Sequence, residues 1–223
     1  MIELKEKEKK FYMQILDDFF SKVPNKNGIL LEDIDFSLFY DVNYRIFYGV
    51  TKVVLVPKNK GARYVIKMPM KEADNFNWCE AEVSAYRDAL NYGVEKFFSE
   101  ISRFREYPWC KAYLQKRIKT NNFVEDDELY EPEEDWSRLS NLSIESVETL
   151  NLCGKIIDEL LRAYPNGEID RLLEFCSEYW INDIHSGNYG YDNGAPVIFD
   201  YSGIGKDCLL YTSPSPRDGL LSR

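Results

Sequence analysis

The sequence predicts an α+β protein in which a β-rich half precedes a helical half. Three observations carry this. Three β-branched and aromatic runs lie close together between residues 44 and 68, helical periodicity follows them directly, and further helical stretches fill residues 143 to 180. With 223 residues, 44% of them hydrophobic and 15% aromatic, the chain carries enough apolar side-chain mass for one continuous core or two small lobes.

Residues 5 to 22 place Phe11, Ile15, Phe19 and Phe20 at helical spacing, and Pro24 with Asn25 to Gly28 ends that segment. The runs Tyr44 to Tyr48, Lys52 to Val56 and Tyr64 to Met68 read as an antiparallel meander. The last two are joined by Pro57-Lys58-Asn59-Lys60-Gly61, residues that favour a turn. Asn77 to Asn91 carries Val83, Tyr86 and Leu90 at helical spacing, with Gly93 just beyond it as the expected C-cap. Cys110 to Ile118 reads as a further strand. Glu125 to Asp135 is acidic and contains Pro132, as a solvated surface loop would, and it lacks the regular D-x-D-x-D-G spacing of a calcium loop. Helices are expected over residues 143 to 163 and 168 to 180, separated by Pro165-Asn166-Gly167.

A formal charge of −10 argues against nucleic acid as a partner, because non-specific binding to a phosphate backbone needs clustered positive charge. No apolar run is long enough to cross a bilayer, so no membrane partner is expected. Cys79, Cys110, Cys153, Cys176 and Cys208 are widely spaced, lack the close pairs of a zinc site, and read as reduced thiols. Met1 is followed by a mixed-charge run through Lys9 and Lys10, unlike a targeting peptide, so a cytoplasmic location is expected. From Cys208 the text CLLYTSPSPRD resembles translated sequencing-adapter sequence. Residues 208–223 are therefore set aside as a non-native tail, and the natural chain is expected to continue past Asp207.

The densest chemistry lies in Asn182-Asp183-Ile184-His185-Ser186-Gly187-Asn188, followed by Val197-Ile198-Phe199-Asp200-Tyr201-Ser202-Gly203. A hairpin built on Asp192-Asn193-Gly194 would carry the chain from the first stretch to the second and deliver Asp200 at the end of an apolar strand. Upstream, Lys67 follows Val65 and Ile66 on the third expected strand. Asp183 and Asn188 have the D-x-x-x-x-N spacing of the protein-kinase catalytic loop, and D-x-H-x-G-N is also similar to the loop of aminoglycoside and small-molecule kinases. Across roughly Tyr44 to Gly203 the chain resembles the protein-kinase-like phosphotransferase superfamily.

That resemblance implies a two-lobed α+β fold: an N-terminal helical extension over residues 1–28, a small antiparallel β-rich N-lobe with one helix over 29–118, and a mainly helical, truncated C-lobe over 119–207. It implies ATP and Mg2+ bound between the lobes and phosphoryl transfer to a hydroxyl of a protein or small molecule. Lys67 would contact the α and β phosphates. Asn188 and Asp200 would hold the metal, and Asp183 would orient the attacking hydroxyl and receive its proton. A glutamate on the following helix should fix Lys67. Glu80 and Glu82 both qualify by position, and Glu82, directly before Val83, better fits the face turned toward the sheet. Gln115, Lys116 and Arg117 would form the hinge that meets the adenine ring, and His185 is expected to shape the loop. The family pattern is incomplete: only Gly49 stands where the G-x-G-x-x-G phosphate cover belongs, and Asn182 replaces the arginine that precedes the catalytic aspartate in protein kinases. Two alternatives stay open, a pseudokinase that acts as a binding module and an aminoglycoside-type small-molecule kinase.

Overall fold

The computed structural model describes residues 2–23, 28–71, 77–120, 134–150, 152–165, 167–185 and 187–201. It is an α+β protein with a five-stranded antiparallel sheet and, among the described residues, five α-helices. The chain divides into two compact units, one of Met1–Tyr86 with Ser99–Lys119, the other of Arg87–Phe98 with Thr120–Arg223. The expected adapter-like tail and most of the acidic stretch lie outside the described residues.

In the first unit the strands β1 (Tyr44–Tyr48), β2 (Lys52–Pro57), β3 (Tyr64–Pro69), β4 (Ile101–Tyr107) and β5 (Cys110–Lys116) form a sheet of order β1-β2-β3-β5-β4. Successive side chains of a strand point to opposite faces, and here the two faces have different chemistry. Val53 and Leu55 of β2, Tyr64, Ile66 and Met68 of β3, and Ala112 and Leu114 of β5 join one apolar core with α1 (Glu6–Lys22). The alternate positions Lys52, Lys67, Tyr113 and Gln115 belong to the other face, and all four are buried.

Helix α1 buries Tyr12, Ile15, Leu16, Phe19 and Phe20, a stripe repeating every three to four residues. Its start is stabilised by Glu8, whose carboxylate accepts the Lys5 N–H at 3.1 Å, and by Glu6 and Glu8 in the first turn, where the helix dipole favours negative charge. Tyr12 ties helix to sheet by accepting the Tyr64 N–H at 3.0 Å. Truncating fully buried Leu16 or Phe19 to alanine would cost about 2–5 kcal/mol by loss of transfer energy and creation of a cavity. The segment expected as an N-terminal extension is thus part of the same compact unit as the sheet.

Strand β4 was not expected. Arg103, Arg105 and Glu106 give its sequence the look of a charged loop, and a register shift between Arg103 and Arg105 breaks the period-two pattern. It is a sheet edge, where charged side chains discourage pairing with another chain.

Helix α2 (Trp78–Tyr92) is capped by Asn77, whose Oδ1 accepts the Glu80 N–H at 3.0 Å. It ends at Gly93 (φ 72°), with the Val94 N–H returning to the Ala89 carbonyl at 3.0 Å, a Schellman closure.

The second unit contains α3 (Asn141–Thr149), α4 (Gly154–Ala163), α5 (Glu168–Tyr179) and the hairpin of β6 (Tyr189–Asp192) and β7 (Ala195–Ile198). The single helix expected over 143 to 163 is two. The Cys153 N–H bonds the Ile184 carbonyl at 3.0 Å instead of continuing a helical ladder. Leu150 and Leu152, two residues apart, are both buried, which one face of a continuous helix does not allow. α3 begins two residues earlier than expected, behind the N-cap Ser140: Ser140 accepts the Ser143 N–H at 3.1 Å, and Asp170 of α5 accepts the Ser140 N–H at 2.9 Å and the Ser143 hydroxyl at 2.6 Å. Buried Asp158 of α4 accepts Trp136 Nε1–H at 2.5 Å and holds the entry to that segment.

Candidate functional site

The loop that carries Asp183 is built between two buried anchors. α5 ends on Trp180 in the left-handed conformation (φ 54°), and the Ile181 N–H returns to the Cys176 carbonyl at 2.9 Å. Ile181 and Ile184 are buried at 1% and 4% exposure, so the two residues between them, Asn182 and Asp183, are pushed to the surface. The Asp183 side chain is 78% exposed. His185 shapes the loop locally: its Nδ1 accepts the Gly187 N–H at 3.0 Å, its carbonyl accepts the Asn188 N–H at 2.9 Å, and its Nε2 lies 3.6 Å from Asp183 Oδ1.

Asn188 joins the three acidic and amide positions into one patch. Its Nδ2 donates to the Asp183 carbonyl at 2.7 Å and to Asp183 Oδ2 at 3.2 Å. Its own carbonyl accepts the N–H groups of Phe199 at 2.9 Å and of Asp200 at 3.3 Å. The second contact follows from the hairpin, in which Tyr189 pairs with Ile198 and the turn is Asn193-Gly194. Both turn residues have positive φ, 52° and 88°, as a two-residue type I′ connection requires. Asp200 is then held between buried Ile198 and buried Tyr201, whose ring packs against Phe98 at a centroid distance of 4.9 Å. Phe98 also bridges to Ile198 in parallel.

With Asn188 Nδ2 committed as a donor, its amide oxygen is its acceptor end, and that oxygen and the Asp200 carboxylate are the residue types that could hold a hard cation such as Mg2+. Among the described residues no group of three or more His, Cys, Asp or Glu side chains gathers as a metal site.

In the first unit, Lys67 of β3 is buried and donates to Glu82 of α2, at 3.0 Å to Oε1 and 3.1 Å to Oε2. Glu82 is fully buried. Glu80 has another role, accepting from Arg103 Nε at 2.8 Å and from the Tyr113 hydroxyl at 2.8 Å. Burial works to raise the Glu80 carboxyl, but the Arg103 and Tyr113 hydrogen bonds outweigh it and hold the group below its ordinary value. The same contact with Glu80, after burial, drives the Tyr113 hydroxyl upward.

Lys52 was missed by sequence reasoning. It opens β2, is buried, and donates to Glu82 Oε1 at 2.7 Å. A strand lysine is ordinarily solvated, so the only available signal was its place on the same strand face as Val54, which pairs with Lys67.

The residues expected to form the hinge and the phosphate cover lie at the end of β5 and in the β1–β2 turn. Gln115 is buried within the sheet, paired with Val65 and Ile101. The Lys116 N–H bonds the Glu100 carbonyl at 2.8 Å, and the Arg117 N–H bonds the Arg63 carbonyl at 2.8 Å. The Gly49 N–H closes the β1–β2 hairpin on the Lys52 carbonyl at 3.0 Å, leaving a turn of only Val50 and Thr51. A side chain at Gly49 would meet nothing within 4 Å, so the local packing does not demand glycine there.

Compared with known protein families and with curated proteins, the chain matches none. Among the described residues no helix is long and apolar enough to cross a membrane.

Proposed function

We propose that this chain is a protein-kinase-like phosphotransferase that uses ATP and Mg2+ to phosphorylate a hydroxyl of a protein or small molecule. The observation that carries the reading is Asn188, which bonds Asp183 through its side chain and Asp200 through its backbone. Loop, hairpin and strand end are thereby assembled around the residue types that phosphoryl transfer needs. The buried Lys67–Glu82 pair of the first unit supports it, because an anchored lysine is the usual device for gripping nucleotide phosphates.

In this reading Lys67 contacts the α and β phosphates and Glu82 fixes its position. Asn188 Oδ1 and the Asp200 carboxylate would hold Mg2+, which would supply charge neutralisation to the phosphates. Asp183, the exposed carboxylate, would orient the acceptor hydroxyl and take its proton as that oxygen bonds the γ-phosphorus and the bond from phosphorus to the β,γ-bridging oxygen breaks, releasing ADP. A binding module without turnover is the second reading, favoured by the short Val50-Thr51 turn where a glycine-rich cover would stand. An aminoglycoside-type acceptor is compatible with the D-x-H-x-G-N loop.

The test is Mg2+-dependent ATP binding and turnover by the full chain beside Asp183→Asn and Asp200→Asn. Asp200→Asn should lower the rate about a hundredfold or more, equivalent to roughly 3 kcal/mol of lost charge stabilisation, while the nearly isosteric change leaves the fold intact. Asp183→Asn should reduce transfer and spare nucleotide binding. ATP binding without transfer to protein or small-molecule acceptors selects the binding module, and absence of ATP binding rejects both readings.

A further inference from the structure

Lys52 and Lys67 reach one carboxylate from neighbouring strands. Val54 is the register partner of Lys67, and Lys52 stands two residues from Val54 on the same face, which makes the lysines diagonal neighbours across β2 and β3. Both ammonium groups bond Glu82 Oε1, Lys52 at 2.7 Å and Lys67 at 3.0 Å, and their side chains are only 5% and 4% exposed. Bringing two like charges out of water onto one oxygen is a poor stabilising device, since apolar side chains of similar volume would fill the same space at lower cost. The arrangement instead orients two ammonium groups side by side on a rigid sheet.

We propose that Lys52 is a second phosphate-contacting lysine, so that Glu82 holds a lysine pair matched to the adjacent oxyanions of a nucleoside di- or triphosphate. This rests on the phosphotransferase reading above and adds to it a ligand class and a residue. The pair also accounts for what the β1–β2 turn lacks. Val50-Thr51 is too short for a glycine-rich cover and the Gly49 N–H is already bonded to the Lys52 carbonyl, so side-chain ammonium groups take over the contacts that loop amides would make. A monophosphate presents a single phosphoryl group and gains less from a pair.

The experiment is calorimetric titration of the full chain with Mg·ATP, Mg·ADP, AMP and adenosine, for wild type, Lys52→Met, Lys67→Met and Lys52→Gln. Lys52→Met should weaken ATP and ADP about tenfold, the scale of one charge-assisted hydrogen bond, and leave adenosine unchanged. A purely structural lysine would weaken all four ligands alike or none, and either result overturns the proposal. If Lys52→Met does not fold, Lys52→Gln decides, because it keeps a donor toward Glu82 and removes the charge. The proposal expects a severalfold loss for ATP with adenosine unchanged, and ATP affinity equal to wild type overturns it. Wild-type protein that binds no Mg·ATP defeats this inference together with the phosphotransferase reading. Wild type that binds ATP while Lys52 variants match it defeats this inference alone.

Discussion

Glu82 accepts two hydrogen bonds from Lys67, at 3.0 and 3.1 Å, and neither side chain is more than 4% exposed. A carboxylate with no access to water has its desolvation offset only by its partners, so removing it strands the lysines and removing all three charges does not.

Glu82→Leu should therefore destabilise the protein by about 3–5 kcal/mol, while Lys52→Met/Lys67→Met/Glu82→Leu together should recover most of that loss. Urea unfolding followed by circular dichroism measures both. A triple variant no more stable than Glu82→Leu would show that the cluster is held by packing and not by charge.

Glu80 is a pH probe on the same helix. Its folded value lies below the ordinary 4.5, so its contribution is fully present above that value and is lost as pH falls through the lower, folded one. Its Arg103 partner is 65% exposed, which limits the pair to about 1 kcal/mol or less. The difference in urea midpoint between wild type and Glu80→Gln should be present at pH 7 and close as pH drops below 4.5. A difference that stays constant from neutral to acid pH would contradict the assignment.

Asn188→Asp tests the loop clamp. The change is nearly isosteric, but it replaces two N–H donors with a carboxylate facing the Asp183 carbonyl at 2.7 Å and its carboxylate at 3.2 Å. It should cost about 1–3 kcal/mol at pH 7, more than Asn188→Ala, because the new carboxylate meets two acceptors and leaves no donor for either. Thermal melts of wild type and both variants at pH 7 read this directly. An aspartate variant as stable as the alanine one at neutral pH would mean that the Asp183 contact contributes little.

Much of this protein was legible from residue order. The period of three to four in α1, the β-branched and aromatic runs of β1 to β3, the Gly93 stop and the Asn193-Gly194 turn are local signals, and each marks its element wherever the chain goes. The D-x-x-x-x-N spacing was legible for the same reason, since a short loop holds its own residues within reach. The choice of Glu82 over Glu80 rested on which helix face meets the sheet, and the structure bonds Lys67 to Glu82. Strand β4 was hidden because its partner is what makes it a strand: charged residues and a register shift erase the alternation, and pairing with β5 restores order. The break between α3 and α4 was equally invisible, because the Cys153 N–H is captured by Ile184, thirty-one residues away in sequence. Lys52 joined Glu82 only when β2 and β3 aligned, and the Lys116 and Arg117 N–H groups are bonded to Glu100 and Arg63. Local pattern determined which elements exist. Contacts distant in sequence decided which backbone groups are spent on the fold and which charges meet, because burial and hydrogen bonding are properties of neighbours that no single segment contains.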